Sequence, residues 1–454
     1  MSFLIVIDKL KNRNSVDVEL LKTKLCPYNS NISFEKVNES TTLFFTNLVS
    51  RTNVVEHTPL GLSAEFRVPF NHKREPGIAW GIIDIQNQHI NVQTDPLGQL
   101  PLYIYEDANR IAISCEQKSF FAIKELTKEL SAKFNFMNTD FKNLNSDVDG
   151  VKRLNPGHAL RIQADQFQYQ MIRNEPVWKR VKQNENLNSA QSQEILIKAF
   201  RTLQLRYSSK ITASLLSGGV DSSLATSLVK TVKDTYNLKT KLGDEESQSQ
   251  FTAQFLNKRT HTIEFDESKV DKLFQKVTYA NEITEGLTAE IGIQLFSLLQ
   301  AASREHKYVL TGYGADYLFG GMLKHKLYMQ LTGCTDTQTL IDRAVWAKEF
   351  SPFYAWQIGV IPVHFYWNEE FMQEVLQIPL GFQFLNDVDK FLVRSVAVSE
   401  NWLPQEIAFR PKLALTNGTQ MNKIFSQFLE LPDEYSYDKK TRKSQEKLQS
   451  LFEL

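Results

Sequence analysis

Ser217-Gly218-Gly219-Val220-Asp221-Ser222-Ser223 follows a short apolar stretch, Thr212 to Leu216, and precedes Leu224, Leu228 and Val232 at helical spacing. The pattern predicts a strand, a tight loop and a helix. Adjacent glycines let the backbone approach an anion closely, and a helix N-terminus offers free N–H groups and a positive dipole end. Ser217, Ser222 and Ser223 add hydroxyl donors, and Asp221 adds a carboxylate suited to Mg²⁺. No Gly-Lys-Ser/Thr follows, so this is not the common mononucleotide loop.

A second loop has the same setting. The strand-like Tyr308 to Gly312 runs into Tyr313-Gly314-Ala315-Asp316, then Tyr317-Leu318-Phe319-Gly320-Gly321. Between the loops lie the strand-like THTIEF (260–265) and helical stretches at about 268–280 and 288–305. A helix at 195–205 precedes the first loop. Alternating strands and helices predict a parallel sheet with helices on both faces. Loops leaving one edge of such a sheet converge, so Gly312 is expected near a bound nucleotide, and Asp221 and Asp316 are expected to share Mg²⁺ over its phosphates.

Residues 1 to about 180 read differently. GIAWGIIDIQNQHINVQTD (77–95), RIAISC (110–115) and LNPGHALRIQ (154–163) are apolar, β-prone runs broken by turn residues. The polar stretch 179–192 reads as a linker, which divides the chain at about residue 185. The region 325–454 reads as mostly helical, and its tail, YDKKTRKSQEKLQS, as a solvated helix of mixed charge.

The 454 residues suit two or three domains. Lys+Arg and Asp+Glu both number 52, and this balance argues against an electrostatic nucleic-acid partner. Cys26, Cys115 and Cys334 are odd in number and widely spaced, as expected of reduced thiols. The apolar run Phe3 to Ile7 is too short for an export signal, and no run of about 18 apolar residues predicts a membrane span. A cytoplasmic protein is the expectation. HExxH and GxSxG patterns are absent, and the histidines lack metal spacing, so His261 and His306 read as packing or capping residues.

The first loop resembles the pyrophosphate loop of N-type ATP pyrophosphatases. More broadly, the chain resembles the asparagine synthetase superfamily over nearly its whole length. TDPLGQLPLYIY (94–105), SCEQKSFF (114–121) and GVKRLNPGHALRI (150–162) look like its amidotransferase domain, and the two loops look like its synthetase domain. The resemblance implies an α/β chain: residues 1–185 as a degenerate Ntn-amidotransferase-like αββα domain, and 186–454 as an ATP-dependent synthetase domain. Asparagine synthetases usually carry Glu where Tyr313 and Tyr317 stand. Gly-Tyr-Gly-Ala-Asp resembles instead the β-lactam and carbapenam synthetases, in which the Tyr works with a downstream Glu. Glu349, 36 residues further on in Glu-Phe-Ser-Pro, has a similar spacing and context. Arg410-Pro411-Lys412-Leu413 resembles the segment whose Lys stabilises the ring-closing transition state.

Ser2 stands where glutamine-hydrolysing relatives place a nucleophilic Cys, and their Arg-Gly-Pro-Asp and Asn-Gly-Glu-Ile-Tyr-Asn segments are not found between residues 20 and 80. The N-terminal domain is therefore expected to be inactive, and the amine to come from the substrate. The resemblance implies ATP and Mg²⁺ as cofactors, a small amino-acid-like substrate, and release of AMP and pyrophosphate on closure of a β-lactam amide. Asparagine synthesis from free ammonia and peptide macrolactam closure are the alternatives. A homo-oligomer stays open.

Overall fold

The computed structural model describes residues 2–9, 15–26, 28–36, 39–46, 54–58, 61–66, 76–86, 89–124, 126, 146–207, 209–322, 336–385, 388–411, 415–432 and 437–452. The N-terminal half is a pair of antiparallel sheets. Its strands are β1 (Phe3–Asp8), β2 (Ile32–Lys36), β3 (Thr41–Thr46), β4 (Val54–Thr58), β5 (Gly61–Phe66), β6 (Gly81–Gln86), β7 (His89–Thr94), β8 (Tyr103–Glu106), β9 (Arg110–Ser114), β10 (Val151–Arg153), β11 (Ala159–Gln163) and β12 (Gln168–Ile172). One sheet has the order β10-β8-β9-β1-β3-β2, the other β12-β11-β7-β6-β5-β4.

Period-two alternation explains their packing. Ile83 and Ile85 of β6, Ile90 and Val92 of β7, and Leu160 and Ile162 of β11 point inward from one sheet. They join Phe3, Ile5 and Ile7 of β1 in a single core cluster. The other face of β1, Leu4 and Val6, packs with Phe120, Phe121 and Ile123 and with helix α1 (Val18–Lys24). A central strand buried on both faces is apolar throughout, as FLIVI is.

The second half is built on a five-stranded parallel sheet, ordered β15-β14-β13-β16-β17. Its strands are β13 (Ala213–Leu215), β14 (Asp234–Lys239), β15 (Arg259–Glu264), β16 (Tyr308–Thr311) and β17 (Ile361–His364). The chain lays down β13, moves outward one way through β14 and β15, then returns to β16 on the other side. The topological switch therefore falls between β13 and β16, where ligands of open α/β sheets bind. Helices α2 (Ser189–Gln204), α3 (Val220–Leu228), α4 (Glu246–Phe255), α5 (Val270–Asn281), α6 (Gly286–Ala302), α7 (Thr337–Trp346), α8 (Phe391–Ser399) and α9 (Tyr437–Phe452) complete the elements used below.

Four expectations change. α2 begins at Ser189, inside the stretch read as linker, because Asn188 and Gln191 form a reciprocal capping box. α3 stops at Leu228 rather than continuing to Val232, since the chain turns there into β14. β17 inserts a strand into the region read as helical. The C-terminal helix is not a solvated tail: Leu448, Lys440 and Ser444 are buried, and the Lys440 ammonium lies 2.5 Å from Glu290 on α6.

Residue 185 lies between β12 and α2, yet one core cluster runs from Phe3 to Leu429 across that point. Separate units at 1–185 and 186–454 remain a proposal about folding. Among the described residues, no helix is long and apolar enough to cross a membrane. Cys26 and Cys115 are free and buried, and Cys334 lies outside the described residues.

The docked tail makes a prediction. Lys440→Ala strands the Glu290 carboxylate, 1% exposed, without its cation. Removing one partner of a buried pair costs about 3 kcal/mol, to be read as a drop in ΔG of unfolding by urea titration. A loss below about 0.5 kcal/mol, ordinary for a surface substitution, would contradict the docking.

Candidate functional site

The loop after β13 and the loop after β16 meet backbone to backbone. A Cβ at Gly312 would lie 2.6 Å from the Ser222 nitrogen and 2.8 Å from the Asp221 carbonyl carbon. Gly312 is thus required by the contact between the loops as well as by its place beside a candidate phosphate site. Gly218 has φ +81°, and a Cβ there would strike the Gln248 backbone at 2.6 Å, so this turn admits only glycine.

The first loop is ordered from within. Ser222 Oγ lies 3.1 Å from Ser217 Oγ and accepts from the Ser217 N–H at 3.2 Å. The Gly219 N–H donates to Ser217 Oγ at 3.4 Å. Ser223 Oγ is fully buried and has no hydrogen-bond partner among the described residues. Gly219 is the N-cap of α3 and makes no side-chain cap, which leaves the helix N-terminus to other acceptors. From outside, Arg410 donates to the carbonyls of Gly218 at 2.9 Å and Gln248 at 3.3 Å. The Arg-Pro-Lys-Leu segment therefore reaches the loop through its arginine. Lys412 itself lies outside the described residues.

Asp221 and Asp316 converge, as the sequence predicts, and between them sits a residue the sequence reading missed. The Lys390 ammonium is 2.5 Å from Asp221 and 2.6 Å from Asp316 and is wholly buried. Burial alone would lower its pKa, but the two carboxylates outweigh that and hold it above the ordinary lysine range. Lys390 adopts a left-handed φ of +54° at the N-terminus of α8. A lysine there opposes the helix dipole, and that misplaced charge is the sequence signal that marks it.

Two carboxylates plus phosphate oxygens are a usual Mg²⁺ donor set. The fit here rests on two observations. Asp221 Oδ1 is buried with no hydrogen-bond partner among the described residues, and both side chains already converge on one cationic point. Among the described residues there is no group of three or more His, Cys, Asp or Glu that could hold a metal, so phosphates would have to complete the shell.

The second loop also carries the proposed proton relay. Tyr313 Oη donates to Glu349 at 2.6 Å. Tyr317 donates to the same carboxylate oxygen. The other oxygen accepts from Thr288 Oγ1 at 3.4 Å and lies 3.6 Å from the Arg343 guanidinium. Arg343 is itself paired with buried Glu285 at 2.7 Å. Burial pushes the Glu349 pKa up, and Arg343 and the two phenols offset part of that rise. The Tyr313 pKa is pushed well above 10, first by burial and then by Glu349. Phe350 stacks on Trp367 at 3.7 Å and touches the Tyr313 ring at 5.0 Å, which fixes the ring's edge toward Glu349.

Glu349 reaches this place from an unusual turn. α7 ends at Trp346, and Lys348 then adopts φ +60°. The Glu349 N–H donates back to the Ala344 carbonyl at 3.1 Å, closing a Schellman-type turn. Glycine normally fills that left-handed position, and a side chain there costs about 1 kcal/mol.

The two histidines singled out earlier lie at the opposite end of the strands. His261 Nε2 is 3.0 Å from Asp234, and His306 Nδ1 is 2.9 Å from Thr212 Oγ1. Ser2 is fully buried at the start of β1, and its N–H donates to Thr46 Oγ1 at 3.1 Å.

Comparison with known proteins agrees with the geometry. Residues 196–349 match the asparagine synthase family. The carboxyethyl-arginine beta-lactam-synthase of Streptomyces clavuligerus is 27% identical over 220 residues, 47% of this chain and 42% of that protein. A putative glutamine-hydrolysing asparagine synthetase of Methanocaldococcus jannaschii is 22% identical over 406 residues, 80% of this chain and 72% of that protein. The asparagine synthetase of Mesocricetus auratus is 26% identical over 222 residues, 45% of this chain and 39% of that protein. The first and third matches thus span less than half of the relatives' lengths. By these matches the chain resembles the asparagine synthetase superfamily, with the β-lactam synthetase among the relatives it is similar to. Among solved structures, the NMN synthetase from Francisella tularensis superposes with a TM-score of 0.27 at 12% identity, covering 59% of this chain and 98% of that one. Such a likeness carries no argument.

The loop contact is testable without a carboxylate substrate. Gly312→Ala would push the Ser222 backbone away and splay the two loops. ATP affinity, measured by isothermal titration with Mg²⁺ present, is expected to fall at least about tenfold, or roughly 1.4 kcal/mol. Parental affinity would show that the close approach does not shape the site.

Proposed function

We propose that this chain adenylates the carboxylate of a small amino-acid-like substrate with ATP and then closes an amide from an amine of the same molecule, as in β-lactam formation. The observation that carries this reading is the 2.6 Å hydrogen bond from Tyr313 to Glu349, set on the same loop as Asp316 beside the Ser217–Ser223 turn.

In the first step a carboxylate oxygen attacks the α-phosphorus and pyrophosphate leaves. The N–H groups at the start of α3 and the hydroxyls of Ser217 and Ser222 bind the phosphate oxygens, and the Lys390 charge lies beneath them; Ser223, expected among the ligands, is fully buried and is left out of this set. Asp221 and Asp316 would hold Mg²⁺, which when bound neutralises phosphate charge. In the second step the amine nitrogen attacks the acyl carbon and AMP leaves. Tyr313 Oη takes the amine proton while passing its own to Glu349. A free phenolate is disfavoured at Tyr313, whose hydroxyl sits in a desolvated site beside the Glu349 carboxylate, so the two transfers are coupled rather than sequential. Lys412 is assigned to the developing oxyanion on the strength of the Arg410 anchor alone.

No ammonia is drawn from glutamine in this reading. The burial of Ser2 supports an inactive N-terminal half. Glutamate release from glutamine is expected to stay at background with or without ATP, and stoichiometric release would overturn that part.

Tyr313→Phe and Glu349→Gln separate the half-reactions. A positioned general base contributes about 10²–10⁴-fold. Ring closure is expected to fall by that range in both variants, while pyrophosphate exchange into ATP stays within about tenfold of the parent. The probe is a panel of N-(2-carboxyethyl) amino acids beginning with carboxyethyl-arginine, followed by mass spectrometry for loss of one water. Product at the parental rate in Tyr313→Phe would sink the dyad.

The raised Glu349 pKa adds a pH signature. Its carboxylate is the proton acceptor, so closure is lost as pH falls through that pKa. The acid limb should therefore lie above the ordinary glutamate range of about 4.3. A limb at or below that range would contradict the assignment.

A further inference from the structure

The turn that presents Glu349 is held from the other half of the molecule. Lys348, 4% exposed, sends its ammonium away from the site, to Asp147 at 2.9 Å and to the Glu282 carbonyl at 2.6 Å. Asp147 belongs to the N-terminal half and is itself clamped: Gln117 Nε2 donates to its carboxylate, while Gln117 Oε1 accepts from the Asp147 N–H at 3.0 Å and from Ser146 Oγ at 2.7 Å.

The cluster continues inward. The Glu282 carboxylate accepts from the Lys118 N–H at 2.9 Å, and Lys118 Nζ donates to Glu116 at 2.6 Å. Glu116 in turn accepts from the Cys26 N–H at 2.8 Å and the Tyr28 hydroxyl at 2.9 Å. Glu116, Gln117, Lys118 and Glu282 are each at most 1% exposed. Buried charges persist only when paired and hydrogen-bonded, and this chain of pairs runs from the first sheet to the residue before Glu349. A lysine in a left-handed position that glycine would fill without strain calls for a reason, and the ammonium's two partners supply one.

We propose that the N-terminal half is a positioning element for the ring-closing site: Asp147 binds the Lys348 ammonium and so fixes the turn from which Glu349 reaches Tyr313. Asp147 and Lys348 touch no reacting atom in this scheme; they act through Glu349. The inference rests on the reading of Tyr313 and Glu349 as the proton relay. It gives the SCEQKSFF segment (114–121) a role without any glutamine chemistry, since Gln117 and Lys118 in that segment hold the tether.

Two readouts test it. The first needs no substrate: infrared pH titration of the Glu349 carboxyl, assigned by its disappearance in Glu349→Gln. The groups facing that carboxyl are Tyr313, Tyr317, Arg343, Glu285 and Tyr354. In Asp147→Asn the turn loosens and the Lys348 charge loses its nearer counter-ion, keeping only the Glu282 carboxylate 4.0 Å away. Greater solvent access and the freed cation both act downward, so the Glu349 titration should move toward the ordinary glutamate range. Lys348→Gly allows the left-handed turn, removes the ammonium and guards against a folding failure in Asp147→Asn; with no cation left, only the lost tether and greater solvent access act, and a smaller downward move is expected there. An unmoved titration in both variants overturns the proposal.

The second readout is a double-mutant cycle in ring closure with the carboxyethyl amino acids, referred to pyrophosphate exchange. Asp147→Asn is expected to slow closure at least about tenfold with exchange near parental, and to have less than about twofold further effect in a Glu349→Gln background. The same factor in both backgrounds overturns the proposal, because Asp147 would then act elsewhere. If Glu349→Gln closes rings at the parental rate, the relay reading fails, and the infrared titration still decides whether Asp147 sets the Glu349 environment.

Discussion

Two loops from neighbouring parallel strands must pass within backbone contact of each other, and that constraint organises the site. The contact exists because β13 and β16 pair at the point where strand order reverses. It is permitted because Gly312 has no side chain to place against Ser222. From it follow the convergence of Asp221 and Asp316 on one cationic point, and the placement of Tyr313 one residue beyond the contact. In the proposed function, a nucleotide on the first loop would be presented to Tyr313 on the second, with Glu349 brought to Tyr313 by the turn after α7.

Electrostatics divides the site into two parts. At the two loops, the Asp221 and Asp316 carboxylates lie within hydrogen-bonding distance of the buried Lys390 ammonium but remain partly open themselves, 20% and 27% exposed. Such groups can exchange partners when a polyanion and a divalent cation arrive. Around Glu349 the surroundings are closed: the carboxylate is 1% exposed and its neighbours are two phenols, a threonine and an arginine already paired with Glu285. Low solvent access raises the basicity of that carboxylate, which is what proton acceptance near neutral pH requires. A buried ionic chain reaching into the N-terminal sheets keeps the geometry fixed.

Local signals made the loops legible in the sequence, because glycines, hydroxyls and an aspartate at a strand-to-helix turn have few other uses. Tyr313 and Glu349, brought together by a resemblance in spacing, do share a hydrogen bond. What escaped notice did so for physical reasons. β14 reads as polar because Asp234, Thr235 and Asn237 are buried, each hydrogen-bonded to a side chain or carbonyl of a neighbouring element. β17 contains Pro362, a strand breaker tolerated because β17 is the sheet edge. The last helix shows no broad apolar stripe, since much of its buried face is Lys440, Thr441, Ser444 and Gln445; Lys440 pairs with Glu290 and Thr441 Oγ1 accepts from the Gly286 N–H of α6. Lys390 lies far from any motif, and only the fold brings it between the two aspartates. For β14, the last helix and Lys390, long-range polar partners stand where sequence reading looks for apolar periodicity.

The central claim is that a carboxylate is adenylated before an amide closes onto it. The most direct measurement uses an N-(2-carboxyethyl) amino acid with both carboxylate oxygens labelled with ¹⁸O, ATP and the intact chain, and follows the label by mass spectrometry. The account predicts one ¹⁸O in AMP and one in the carbonyl of a product lighter by one water, with unlabelled pyrophosphate. Label in inorganic phosphate accompanied by ADP, or amide formation with unlabelled AMP, would contradict it.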